Sequence, residues 1–172
     1  MNIKQIFNNI TTFIFDFDGV ITDGNVLITA QGDFLRSMNS KDSFALQHAV
    51  KQGYNVAIIT GGASANVVES MRMLGITDVY LRSYDKLSVY NDYITERGLT
   101  HNEVLYMGDD LPDYPVLLKV AAKTCPHNAV HEVRAICNYV SIQLGGHGAV
   151  RDVIEQVMRT QSKWVNDDVY HW

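Results

Sequence analysis

Asp16 and Asp18 stand two residues apart in DFDGVITDG, at the end of an apolar run that reads as a β-strand. Residues i and i+2 of a strand share a face, and where the strand ends both side chains can turn into the space beyond it. A third acid, Asp109, opens the run Asp109-Asp110-Leu111-Pro112-Asp113 behind another apolar stretch. Carboxylates gathered in one crevice repel. At about 4 Å and an effective dielectric of about 20, each like-charge pair costs on the order of 4 kcal/mol. Such a cluster calls for a cation, and oxygen ligands at strand ends suit Mg²⁺. Thr60, in Ile59-Thr60-Gly61-Gly62, and Lys86 supply the complementary half. A hydroxyl and backbone N–H groups at a strand-to-helix turn hold phosphate oxygens, and glycine lets that backbone come close. An ammonium group offsets charge on a phosphoryl group and on its attacker. Taken singly, each residue has a plainer use: a strand-end Asp or Thr60 caps a helix, and Lys86 sits in solvent. Their joint placement points to phosphoryl chemistry.

The elements that must position these groups alternate along the chain. Runs at 12–17, 55–60, 78–81, 104–108, 120–124 and 138–142 read as strands, most of them apolar on both faces, as in a parallel sheet covered on both sides. Helical periods fall at 42–52, 64–74, 85–97, 113–119, 128–137 and 149–161, with Gly53, Gly75 and Gly98 just past three of them, where a left-handed residue is wanted. This predicts a Rossmann-like α/β fold: an open parallel sheet with helices on both faces and right-handed crossovers. Ligands of such sheets sit beyond the carboxyl ends of the strands, which is where the chemical residues lie. One segment breaks the pattern. Residues 25–39 read as a β-hairpin turning at Ala30-Gln31-Gly32-Asp33. The expected organisation is one domain over 1–161 and a tail over 162–172, whose two tryptophans, Trp164 and Trp172, are unusual for a segment that merely floats.

Composition narrows the function classes. The chain has 172 residues, 47% of them hydrophobic, and a net charge of −5. That is enough for a real core, and it argues against the basic footprint of a nucleic-acid binder. No apolar run approaches the roughly 20 residues that span a bilayer, and the first residues lack the layout of a signal peptide. Cys125 and Cys137 form no CxxC pair and no disulfide framework, which suits a reducing cytoplasm. His127 and His131 are four apart, but Pro126 sets His127 at or before the helix start, so they read as surface histidines.

DFDGVITDG, IITGG, Lys86 and MGDDLPD resemble, in order, the four signature motifs of the haloacid dehalogenase superfamily. NSKDSFAL at 39–46, LGI at 74–76 and GGHGAVRDV at 145–153 extend the similarity to the 3-deoxy-D-manno-octulosonate 8-phosphate (KDO 8-phosphate) phosphatases. The resemblance implies an aspartyl-phosphate mechanism, with Asp16 as nucleophile and Asp18 as the acid and then the base. It implies Mg²⁺ held by the Asp16 carboxylate, the Asp18 backbone carbonyl and Asp109. Thr60, Gly61 and Lys86 would hold the phosphoryl group, and Asn39, Lys41, Asp42 and Ser43 would help form the substrate pocket. Asp110 and Asp113 are left between orienting metal-bound water and capping the next helix. Superfamily members usually close the crevice with a cap domain, and the inserts here are too short for one. The resembled family instead assembles the hairpins of four subunits into a barrel, so a homotetramer through 25–39 is expected.

The chain departs from the family where Gln47, Gly62 and Ser70 replace arginines that bear on the sugar acid, with Arg36, Arg72 and Arg82 as candidates to compensate. A nine-carbon ulosonic acid 9-phosphate is therefore the alternative substrate, and a non-catalytic tetramerisation domain the alternative class. The expected partner is a small phosphorylated sugar acid, with no nucleic acid and no membrane.

Overall fold

Six parallel strands, β1 (Thr12–Phe15), β4 (Asn55–Ile59), β5 (Asp78–Tyr80), β6 (Val104–Met107), β7 (Ala122–Cys125) and β8 (Tyr139–Val140), form one sheet in the order β5-β4-β1-β6-β7-β8. The computed structural model describes residues 2–165 and 167–170. β1 is central because it is buried on both faces: Phe13 and Phe15 point one way, Ile14 the other, and all three are inaccessible to solvent. Phe13 and Phe15 join Val56, Ile58, Leu105 and Met107 under α1 (Ile3–Phe7), α2 (Ser40–Lys51), α3 (Ala65–Met73) and α7 (Ala149–Thr160). Ile14 joins Ala57, Ile59 and Tyr106 under α4 (Lys86–Arg97), α5 (Tyr114–Leu117) and α6 (His131–Ile136). Two cores therefore clamp the strands whose ends carry the acids. Removing one of these phenylalanine side chains would cost about 3–5 kcal/mol.

The predicted helices form, and Gly53, Gly75 and Gly98 terminate three of them with positive φ. α2 starts at Ser40, two residues earlier than its periodicity suggested, because the Asn39 side chain accepts from the Lys41 and Asp42 N–H groups. α1 was not foreseen. Its signal is the pair Asn2 and Gln5: the Asn2 side chain accepts from the Lys4 N–H, and the Gln5 side chain from the Asn2 N–H. The hairpin is present as β2 (Leu27–Ile28) paired antiparallel with β3 (Phe34–Leu35). Between β1 and β4 the chain holds only a tight turn, this hairpin and α2, so no cap domain covers the strand ends among the described residues. The segment after α7 is tied down at Trp164, which is buried edge-on to His48, with its carbonyl 3.1 Å from the His48 ring and the Arg151 guanidinium over its own ring. Trp172 lies outside the described residues. Among the described residues no helix is long and apolar enough to cross a membrane.

Candidate active site

β4, β1 and β6 lie side by side and end together, so the chain leaves the sheet in opposite directions on either side of β1. That divergence opens a crevice of about 500 Å³ lined by Asp16, Asp18, Thr60, Gly61, Lys86, Asp109 and Asp113. Asp16 is the first residue past β1, and its Oδ1 accepts from the Phe17 N–H at 2.7 Å, which fixes the carboxylate at the mouth of the strand. The chain then bends sharply at Gly19, with φ of +87°. A Cβ there would strike the Asp109 carboxylate, so glycine alone lets the β1 and β6 loops meet.

Lys86 begins α4 and is almost wholly buried. Its Nζ lies 2.9 Å from Asp16 Oδ2 and 2.7 Å from Asp113 Oδ1. Burial alone would lower the Lys86 pKa, but Asp16 and Asp113 outweigh it and the net shift is upward, so the amine stays an ammonium. Asp113 has no exposed surface. Its oxygens accept from Lys86, from the Tyr106 hydroxyl at 2.7 Å and from the N–H groups of Asp109 and Asp110. It ties the β6 loop to α4, while Asp110 caps the following turn through the Leu111 N–H. Thr60 ends β4 buried, its hydroxyl accepting from the Gly62 N–H at 3.1 Å.

Oxygens of Asp16, Asp109 and Asp113 come within 4.8 Å of one another. Burial first, then the Asp113 charge, raises Asp16 to about 7 against the pull of Lys86. Burial, then Asp113 and Asp110, raises Asp109 to about 7. One ammonium cannot balance three carboxylates, and the donors are hard oxygens, so the residues fit a divalent cation such as Mg²⁺.

Arg36 was one of three candidate cations, and its place could not be read from sequence. It follows β3 and grips Asp18 through one guanidinium edge, Nε to Oδ1 at 2.6 Å and Nη2 to Oδ2 at 3.1 Å. Arg72 is exposed on α3 beside Glu69, and Arg82 is exposed beyond β5. Arg36 is therefore the one of the three that grips a crevice carboxylate. The expected pocket residues of α2 do not line this crevice. Asn39 caps α2, the Ser43 hydroxyl donates to the Asn39 carbonyl, and the Asp42 carboxylate accepts from the Gly148 and Arg151 N–H groups at the start of α7. Lys41 is exposed on a groove with Phe44, Arg151 and Trp164.

No family model matches the chain. Individual proteins do. It is 34% identical over 155 residues to the 3-deoxy-D-manno-octulosonate 8-phosphate phosphatase KdsC of Escherichia coli, covering 90% of this chain and 82% of that one. The chain belongs to the KDO 8-phosphate phosphatase family. Among solved structures of that family, the Yersinia pestis phosphatase superposes with a TM-score of 0.91 at 32% identity, over 93% of this chain and 86% of its own. The Moraxella catarrhalis phosphatase, in complex with magnesium ion, phosphate ion and KDO, superposes with a TM-score of 0.92 at 30% identity, over 94% and 93%.

The raised carboxylates make a measurable statement about Mg²⁺. Asp16 and Asp109 hold protons in the metal-free fold up to about pH 7, whereas an unfolded Asp releases its proton near pH 4. The folded state binds more protons in that window, so these groups favour the metal-free fold at low pH, and that contribution is lost as pH rises through 7. A cation that replaces those protons stabilises most where they are absent. Scanning calorimetry should show Mg²⁺ at about a hundredfold over its Kd raising Tm by about 5–10 °C at pH 8 relative to chelator, and far less at pH 5. An equal shift at both pH values would place the cation on other ligands.

Proposed function

We propose that this protein is a Mg²⁺-dependent phosphatase that hydrolyses 3-deoxy-D-manno-octulosonate 8-phosphate. The observation that carries the reading is Asp16, fixed at the end of β1 with the buried Lys86 ammonium 2.9 Å from its outer oxygen and Asp109 and Asp113 beside it. A carboxylate attacking an already anionic phosphate needs that positive charge. Asp16 attacks phosphorus in line and becomes an aspartyl phosphate, while Asp18 gives a proton to the leaving sugar alkoxide. Asp18, oriented by the Arg36 fork, then takes a proton from water as the water attacks the phosphoryl group and frees Asp16. Thr60 and the Gly61 N–H hold the equatorial oxygens, and Lys86 neutralises them. Asp16, Asp109 and the Asp18 carbonyl would hold Mg²⁺, which when bound offsets the charge shared by the carboxylates and the phosphate.

The test is phosphate release from the eight-carbon 8-phosphate, nine-carbon ulosonic acid 9-phosphates and hexose phosphates, with and without Mg²⁺. The eight-carbon acid should lead, and chelation should abolish turnover reversibly without unfolding. A tenfold preference for a nine-carbon acid would assign the substrate to that class instead, as Gln47, Gly62 and Ser70 would allow. Mg²⁺-independent turnover would overturn the reading.

The working form is a cytoplasmic homotetramer built on the hairpin. Leu27, Ile28 and Phe34 are 66%, 64% and 60% exposed on one small ribbon, an apolar surface that a solvated loop has no reason to carry. The uncovered crevice supplies the second reason, because a neighbouring copy can shield it where no cap does. Light scattering at micromolar concentration should give four times the chain mass, and Leu27→Lys with Phe34→Lys should give one. Native protein that runs as a monomer would refute the assembly.

A further inference from the structure

Most of the side chains that line the crevice are polar. Apart from glycines, Tyr84 and Pro112 are the carbon-rich side chains among the described residues that line it. Tyr84 is also 82% exposed, an aromatic ring standing in water at the mouth of a site whose floor binds charge. An aromatic side chain can bury roughly 150–250 Å², and nothing among the described residues covers this one.

The turn that presents Tyr84 is built rigidly. The Arg82 N–H donates to the Gly62 carbonyl and the Ser83 N–H to the Thr60 carbonyl, each at 2.9 Å. Ser83 is buried, with its hydroxyl donating to the Tyr80 carbonyl at 3.0 Å. On the far side Asp85 caps α4 through the Ser88 N–H, and Lys86 follows at once. Tyr84 thus hangs between the residues that hold the phosphoryl group, Thr60 and Lys86. The turn closes through Arg82 at φ of +53°, left-handed backbone that is uncommon outside glycine, and the Tyr84 N–H bonds back to the Arg82 carbonyl at 2.9 Å. Such strain persists where neighbouring contacts impose it, and it concentrates at ligand clamps.

We infer that Tyr84 is a specificity-determining residue: its ring is the platform on which the sugar ring of the substrate stacks when the phosphate occupies the floor of the crevice. This rests on the phosphatase reading above. A pyranose has polar edges and an apolar C–H face. An aromatic ring covers that face and leaves the hydroxyls to water, with the phenol positioned to meet one of them. The crevice, at about 500 Å³, has room for more than a phosphate. Because stacking acts on the bound sugar before and during reaction alike, its loss should fall on KM more than on kcat.

The experiment compares kcat/KM for KDO 8-phosphate with that for acetyl phosphate, which has no ring, in the Mg²⁺-loaded protein and in Tyr84→Ala and Tyr84→Phe. Tyr84→Ala should lower the ratio of the two by about tenfold, chiefly through KM, and Tyr84→Phe should restore most of it. Light scattering on each variant should give the native mass. If both proteins hydrolyse both compounds and Tyr84→Ala leaves the ratio unchanged, the platform is refuted while the phosphatase reading stands. If Tyr84→Ala changes the assembly and lowers both activities equally, Tyr84 is an interface residue and the inference fails. If the unaltered protein releases phosphate from neither compound, the phosphatase reading fails first and takes the platform with it.

Discussion

Asp16→Asn should abolish steady-state phosphate release, with kcat lower by about 10⁴-fold or more, while the fold is kept. The amide cannot form the aspartyl phosphate, and it is a weaker cation ligand. Stability moves differently, because Asp16 is a buried carboxylate held up to about 7 by burial and by Asp113. Replacing it with a neutral group of the same shape removes that repulsion. The one carbonyl oxygen of the variant can keep the Phe17 N–H, as Asp16 Oδ1 does at 2.7 Å, or the Lys86 contact that Oδ2 makes at 2.9 Å, so one contact is lost against the relief of that repulsion. In chelator at pH 8, the Tm of Asp16→Asn should therefore match or exceed that of the native protein. Substantial turnover by the purified variant would overturn the covalent mechanism. A large fall in Tm would mean that the Asp16–Lys86 pair contributes more to stability than the carboxylate repulsion takes away.

The sheet was legible because its strands obey a simple rule: apolar on both faces, ended by polar residues, separated by helical periods. Asp16, Asp18, Thr60, Lys86 and Asp109 could be placed at one edge for the same reason, since each follows a strand or opens a helix. What sequence could not supply was pairing across long separations. Arg36 meets Asp18 only because the hairpin folds back over the β1 turn, and nothing local in LRSMN announces it. Of the two roles open to Asp113, the capping one is present, since its carboxylate accepts from the Asp110 N–H at the start of the next turn, but the residue does more. It is wholly buried and joins Lys86, Tyr106 and two backbone N–H groups, a convergence of three elements that no periodicity encodes. Asn39, Asp42 and Ser43 show the reverse difficulty. Family resemblance suggests a pocket, while within one chain their side chains cap α2 and anchor α7.

Lys86→Met should damage activity and stability together, which separates its role from that of Asp16. The methionine fills most of the volume but leaves Asp113, with no exposed surface, and Asp16 without their shared counter-ion. Breaking a buried pair from one side costs about 3–5 kcal/mol, because the remaining charge stays desolvated. For a domain of this size each kcal/mol is worth roughly 2–4 °C, so Tm in chelator should fall by about 10 °C. Mg²⁺ should restore part of that loss by supplying the charge the lysine no longer provides, without restoring turnover, because the phosphoryl group has lost its own cation. The loss in kcat should be about 10³-fold. Lys86→Arg serves as the companion variant should Lys86→Met fail to fold. It keeps the charge but not the compact head that reaches Asp16 and Asp113 at once, so it should fold and remain impaired. Native turnover in Lys86→Arg would show that charge alone suffices. Native Tm in Lys86→Met in chelator would show that Asp16 and Asp113 take up protons and need no counter-ion.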